Sequence, residues 1–186
     1  MKMSEKDFKS LSNKNKVVKR DYYDRLEEAV KTGFNFSKDE IALNKDSMVL
    51  NFNGVYLLSH NDILRINFKR MYRYIKLWKE RVKNLVEQVE LSNWEKNKNK
   101  KIKIEFLYTT SNKQCLDYDS TVGCVKFIID GLTESSAIFD DSIEFVPVVL
   151  SKQKKTKENN YLMVVLTPIE EEEYESYFSE EFKKNF

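Results

Sequence analysis

The chain has 186 residues, 41% of them hydrophobic, which is enough for one domain with a real core and extensions at its ends. Four glycines and two prolines exclude collagenous and loop-stapled designs and point to long regular elements, while two cysteines are too few for a disulfide framework and fit a reducing cytoplasm. The net charge of +2 hides segregation: residues 65–103 hold thirteen Lys or Arg against four Glu, whereas the stretch after Pro168 carries EEEE. Such asymmetry permits a local positive surface that follows a phosphate backbone, and equally a solvated helix face followed by a lysine-rich loop.

The N-terminus, MKMSEKDFKSLSNKNK, lacks an apolar segment of signal-peptide length, and no run of roughly 18 apolar residues occurs, so a soluble cytoplasmic protein with no membrane partner is expected. Residues 1–46 read as a polar extension with a helix over Lys19–Lys31, in which Tyr22, Tyr23, Leu26 and Val30 fall at helical spacings before Gly33 stops it. Ser47–Phe52 (SMVLNF) reads as a short strand closed by the turn signal Asn53-Gly54. After an extended VYLLSHND, a long helix is expected from Asp62 to Leu91. Its Leu64, Phe68, Met71, Ile75, Trp78, Val82, Leu85 and Val89 form one stripe. The stripe's average period of about 3.5 would also suit a coiled-coil seam, although packing on a sheet is the simpler expectation. Arg70, Arg73, Lys76, Lys79 and Lys83 lie off it as a basic outer surface, and Trp94–Lys101 (WEKNKNKK) reads as a solvated loop.

Downstream, KIKIEFLYTT alternates strictly over Ile102, Ile104, Phe106 and Tyr108, the pattern of a half-buried strand. Val122, Val125, Ile129 and Leu132 then predict a helix of about three turns with Gly131 near its end. Ile143–Leu150 and Tyr161–Thr167 are β-rich runs separated by the polar KQKKTKENN and are expected to form a hairpin, and EEEEYESYFSEEFKKNF reads as a short amphipathic helix. This order predicts an α+β domain over 47–168, a small mixed sheet of about four strands packed with a long and a shorter helix, followed by an acidic tail over 169–186.

The segment DYDSTVGCVKFIIDGLTESSAIFDDS gathers Asp117, Asp119, Lys126, Asp130, Asp140 and Asp141 at the strand–helix and helix–strand junctions. Clustered carboxylates repel one another, so a fold that collects them does so around a cation or a proton-transfer task. On an extended segment Asp117 and Asp119 project the same way, Lys126 and Asp130 share a helix face, and only one of the adjacent Asp140 and Asp141 can point at the other acids. Asp117, Asp119 and one of the later pair would supply oxygen ligands suited to Mg²⁺, with Lys126 left to neutralise charge on a phosphate. Spacing alone is equally compatible with Lys126–Asp130 as an ordinary helical ion pair and with the DD as a solvated turn.

Other residues read plainly. His60 is the single histidine, so neither a Ser-His-Asp triad nor a His-rich zinc site is expected within one chain, and a structural or DNA-facing role is the expectation for it. Cys115 and Cys124 lack CxxC spacing, and without GxxxxGK[ST] or GxGxxG no nucleotide cofactor is expected.

The residues DYDSTVGCVKFIIDGLTESSAIFDD resemble the signature of the RusA family of Holliday-junction resolvases, which runs D-x-D-N, a short spacer, K-x-x-x-D-x-L and then D-D. Ser59 and Asn61 in LLSHND are similar to that family's S-x-N element, the basic helix that follows is similar to its basic helix, and Lys152 in VVLSK matches a lysine ending a later strand. The likeness spans about Ser47 to Pro168. It implies a homodimeric, Mg²⁺-dependent (or Mn²⁺-dependent) endonuclease, often of phage or prophage origin and so acting in a bacterial cytoplasm, that nicks four-way DNA junctions. It further implies Asp117, Asp119 and Asp141 as metal ligands, Lys126 as catalytic lysine, and Ser59, Asn61, Arg65, Lys69, Arg70, Arg73, Lys76 and Lys152 facing DNA. Asp130 and Asp140 take supporting places. Ser120 stands where the family has Asn, and is read as a candidate helix cap.

Overall fold

A computed structural model describes residues 38–55, 57–58, 68–111, 118–156 and 160–177, with the side chains of Arg70, Ser111 and residues 118–124 outside that description. The expected helix over Lys19–Lys31, the start of the long helix with Leu64, and His60 and Cys115 lie outside the described residues.

Five strands form one sheet in the order β1-β2-β5-β3-β4, comprising β1 (Glu40–Leu43), β2 (Met48–Asn53), β3 (Lys101–Ser111), β4 (Val148–Thr156) and β5 (Tyr161–Ile169). All neighbours are antiparallel except β3 and β4. The alternation seen in sequence is the cause of the layering, because every second side chain of a strand meets the same face. Met48, Leu50 and Phe52 of β2, Ile102, Ile104, Phe106 and Tyr108 of β3, and Leu162, Val164 and Leu166 of β5 all project into the core. Against that face lie α1 (Phe68–Val86) and α3 (Tyr118–Glu134). A short α2 (Glu95–Lys98) precedes β3, and residues 171–177 form a last helix, α4. The α+β class is therefore as expected, with one more strand.

That strand, β1, lies in the stretch read as an extension. Its register against β2 is fixed by Asp39, whose carboxylate takes Arg81 Nε at 2.5 Å and Nη2 at 2.6 Å, and also accepts the Asn53 amide. Both partners are nearly inaccessible, with side chains 1% and 2% exposed, and the guanidinium lies 5.3 Å from the ring centres of Phe52 and Trp78. The sheet thus takes in the chain from at least Lys38. Gly54, at φ +63°, closes the far end of β2 in a left-handed conformation that its missing Cβ allows.

Three expectations are corrected. First, β4 and β5 do not form a hairpin, because β3 lies between them and pairs with both. The helix α3 returns the chain so that β4 runs parallel to β3, which a crossover requires. Moreover the lysine-rich KQKKT is itself strand: at a sheet edge both faces can carry charge, so polarity does not break it. Ile143 lies ahead of that strand and is exposed.

Second, the apolar stripe of α1 is rotated. The buried side chains are Tyr74, Leu77, Trp78, Arg81, Val82, Leu85 and Val86, whereas Phe68 is 74% exposed. A strict seven-residue repeat drifts by about 20° per heptad on a straight helix, so the stripe and the packed face coincide only around Trp78–Leu85. The helix also ends at Val86, before Leu91.

Third, Trp94–Lys101 is not a solvated loop. Trp94 is fully buried and its indole N–H donates to the Ala137 carbonyl at 2.7 Å, while Asn97 is buried and donates to the Lys45 carbonyl. The seven charged or amide residues that follow Trp94, up to Lys101, hide this anchor from any composition-based reading.

Candidate active site: a chain of ion pairs along α3

Lys126 and Asp130 are one turn apart on α3, and their side chains meet at 2.7 Å. Another turn on, Glu134 shares Lys79 of α1 with Asp130, at 2.7 and 3.3 Å. The two helices can come this close because of Gly131, where an added Cβ would lie 2.9 Å from Val82 Cβ and 3.3 Å from the Lys79 backbone.

Beyond α3 the chain turns back by a helix-ending motif in which Ser136 takes a left-handed φ of 60°. Its amide reaches the Thr133 carbonyl and the Ala137 amide that of Leu132, so the last turn is satisfied. Ala137 and Ile138 then bury, the Phe139 amide bonds the Lys98 carbonyl, and the Phe145 carbonyl accepts the Ile102 amide at 2.7 Å. With both ends pinned, the loop carries Asp141 back to Lys126, whose ammonium lies 2.5 Å from Asp141 Oδ2. Asp140 turns the other way and its Oδ1 accepts the Asp141 amide.

The result is an alternating series, Asp141–Lys126–Asp130–Lys79–Glu134. Lys126 keeps its proton above the ordinary lysine range because Asp130 and Asp141 accept hydrogen bonds from it, and the same Lys126 contact holds the Asp141 carboxyl below the ordinary carboxylate range. Lys79 is likewise raised, first by Glu134 and then by Asp130 against a desolvation penalty. Lys126 nevertheless remains accessible, its side chain 60% exposed. An ammonium so held is fixed in place, ionised and open to solvent, which suits it to meet an anionic group.

The sequence-predicted residues divide as follows. The structure brings Lys126, Asp130 and Asp141 together, and Asp140 stands behind them as a backbone acceptor. Asp117 lies outside the described residues. Asp119 and Ser120 fall in the first turn of α3, so Asp119 is on a helix and not on an extended segment, and Ser120 lies inside the helix instead of capping it; their side chains are outside the description. Ser59, Asn61 and Arg65 are outside the described residues, as is the side chain of Arg70. Lys69, Arg73 and Lys76 are exposed on α1, where Lys76 meets Glu80 at 3.6 Å. Lys152 pairs with Glu105 at 3.3 Å on the sheet face away from the helices and does not join the chain of ion pairs.

Sequence reasoning passed over Lys79 and Glu134 as members of the chain. Only Gly131, in the last turn of α3, is a signal in sequence that another backbone comes close there.

Among the described residues no three of His, Cys, Asp or Glu gather in a metal-holding group. Asp141 is the one expected ligand with a described side chain, and it is an ionised, partly exposed oxygen donor of the kind Mg²⁺ takes. Among the described residues no helix is long and apolar enough to cross a membrane. No protein-family model matches the sequence and no curated protein matches it, so the geometry of these side chains is what a functional reading has to work from.

Proposed function

We propose that the chain is a Mg²⁺-dependent, RusA-like endonuclease that cuts branched DNA by phosphodiester hydrolysis. The observation that supports this most is the Lys126–Asp141 contact, which joins the middle and the end of the resembling motif across fifteen residues of chain. In this reading Asp117, Asp119 and Asp141 hold the cation, which when bound lowers the pKa of an attacking water and steadies the departing oxygen. Lys126 places its ammonium against the non-bridging phosphate oxygens, where negative charge grows as the P–O bond breaks. Asp130, itself backed by Lys79, would keep Lys126 in place if Asp141 served as a ligand.

The same reading puts DNA against Lys69, Arg73 and Lys76, exposed on α1, and, as the resemblance implies, against Ser59, Asn61, Arg65, Arg70 and Lys152. A homodimer would place two such sites on opposed strands of a four-way junction. Asp119→Asn tests the assignment. It should abolish Mg²⁺-dependent nicking while junction binding stays equal or improves, because a negative charge near phosphate is removed. Equal cutting by the variant contradicts the ligand set.

A second reading, a branched-DNA-binding module with little or no cleavage, is favoured by one observation: Asp141 Oδ2 is already engaged by Lys126. A protein that shifts four-way junctions in a gel yet leaves them intact in both Mg²⁺ and Mn²⁺ would support it.

A further inference from the structure

The acidic helix α4 lies over lysines of β3. Lys100 meets Glu170 at 2.6 Å, Lys101 meets Glu171 at 2.6 Å, and Lys103 meets Glu173 at 3.6 Å and the Tyr177 hydroxyl at 3.5 Å. The Lys101 ammonium also sits 4.0 Å from the centre of the Tyr174 ring. The glutamates are the outer partners: Glu171 is 64% exposed and Glu173 46%, against 25% for Lys101 and 17% for Lys103. Sequence places these lysines at the start of β3, and the loop bearing Asp141 is hydrogen-bonded to that same segment at Lys98 and Ile102. Lys101 and Lys103 alternate with the buried Ile102 and Ile104, so they share with Glu105 and Lys152 the sheet face away from the helices.

Lys101 and Lys103 stand at alternate positions of β3, and Glu105, the next residue on that face, is shared with Lys152, so without residues 170–177 the start of the strand would present a cationic strip. Here the strip is neutralised in cis, by Glu170 and the helix α4 that follows it directly after β5. Each exposed pair is individually weak and salt-sensitive, so the helix can be displaced by a polyanion that offers several phosphates at once.

We propose that Lys100, Lys101 and Lys103 form a phosphate-backbone contact surface at the start of β3, on the side of the sheet away from α3, and that residues 170–177 occupy it as an intramolecular stand-in for nucleic acid. The inference rests on the DNA-directed reading above. When DNA arrives, α4 lifts and three lysines become available to it. Without DNA, α4 suppresses unproductive binding to other polyanions.

The test uses the full chain carrying Glu170→Gln, Glu171→Gln and Glu173→Gln, with immobilised heparin and linear duplex DNA as probes. The variant should elute from heparin at higher salt than wild type. On duplex, three added phosphate contacts should steepen the slope of log affinity against log salt by up to about 2.7. Adding Lys101→Gln and Lys103→Gln to that variant should remove most of the gain, whereas Glu172→Gln with Glu175→Gln, outside these pairs, should give much less. In the otherwise wild-type chain, Lys101→Gln with Lys103→Gln should leave heparin retention nearly unchanged, and this arm needs no alteration of α4. An unchanged retention in the triple variant overturns the inference, as does a gain that persists without the lysines, since that is net charge alone. A gain on heparin and duplex with no nicking keeps the inference and sinks the nuclease reading; no gain on heparin, or a gain on heparin with none on duplex, sinks the inference whatever the cleavage assay gives.

Discussion

Asp141 Oδ2 lies 2.5 Å from Lys126 Nζ although fifteen residues separate them, and the loop that makes this meeting is tied down by Trp94 through its bond to the Ala137 carbonyl. A lysine and an aspartate on α3 would form the i,i+4 pair without any tertiary structure, but the third member requires the fold.

The Lys126–Asp141 pair sets a pH window. Asp141 is held below its ordinary 3.8, so what the pair adds to stability is complete above that value and is lost as pH falls through the lowered folded pKa. Lys126 is raised above 10.5, so its share is complete below 10.5 and lost as pH rises through its raised folded pKa. Thermal melts of wild type and Lys126→Met should therefore differ by a small, constant amount through the neutral range, on the order of 0.2–1 kcal/mol for so exposed a pair. The gap should shrink only in acid below Asp141's ordinary value or in strong alkali. A gap that closes near neutrality contradicts the assignment of both groups as ionised.

Asp39 and Arg81 should behave differently, because they are buried. Asp39→Asn leaves the guanidinium without its counter-charge, at a cost of about 3–5 kcal/mol. Removing residues 1–46 deletes both Asp39 and β1 and should cost at least as much. Urea unfolding measures both, and a truncation as stable as the full chain would show that the domain closes without β1.

At Gly131 two effects oppose each other. Alanine improves helix propensity by about 1 kcal/mol, but its Cβ would meet Val82 Cβ at 2.9 Å and the Lys79 backbone at 3.3 Å. The backbone atom cannot swing away, so overpacking of about 1–3 kcal/mol should win and Gly131→Ala should destabilise. Val82→Ala in the same chain keeps the Cβ contact but removes the Cγ1 that the new Cβ would meet at 3.2 Å, so it should recover a part of the loss, a coupling read from a double-mutant cycle. Strictly additive effects would mean that the helices do not press together there.

Most of the sheet was legible because alternation is a strong signal where one face is buried, as at Ile102 to Tyr108. What stayed hidden had a physical reason in each case. Residues 40–43 form an edge strand recruited by a buried ion pair, and neither Asp39 nor Arg81 advertises burial in sequence. Trp94 is one large apolar residue among amides and lysines. The neighbour of β5 was misread because adjacency in sequence favours a hairpin, whereas β3 is long and apolar enough to take partners on both edges. In the site, Lys126, Asp130 and Asp141 were legible from spacing and resemblance together, while Lys79 was not, because pairing between helices leaves no period along either one.

The central claim is best tested by cleavage of a synthetic four-way junction beside linear duplex, using wild type and Asp141→Asn, each with and without Mg²⁺. Paired nicks are expected in the junction only, from wild type only and only with the metal, while Asp141→Asn still binds the junction. Nicking by Asp141→Asn at the wild-type rate, or an intact junction bound by wild type in Mg²⁺, would contradict it.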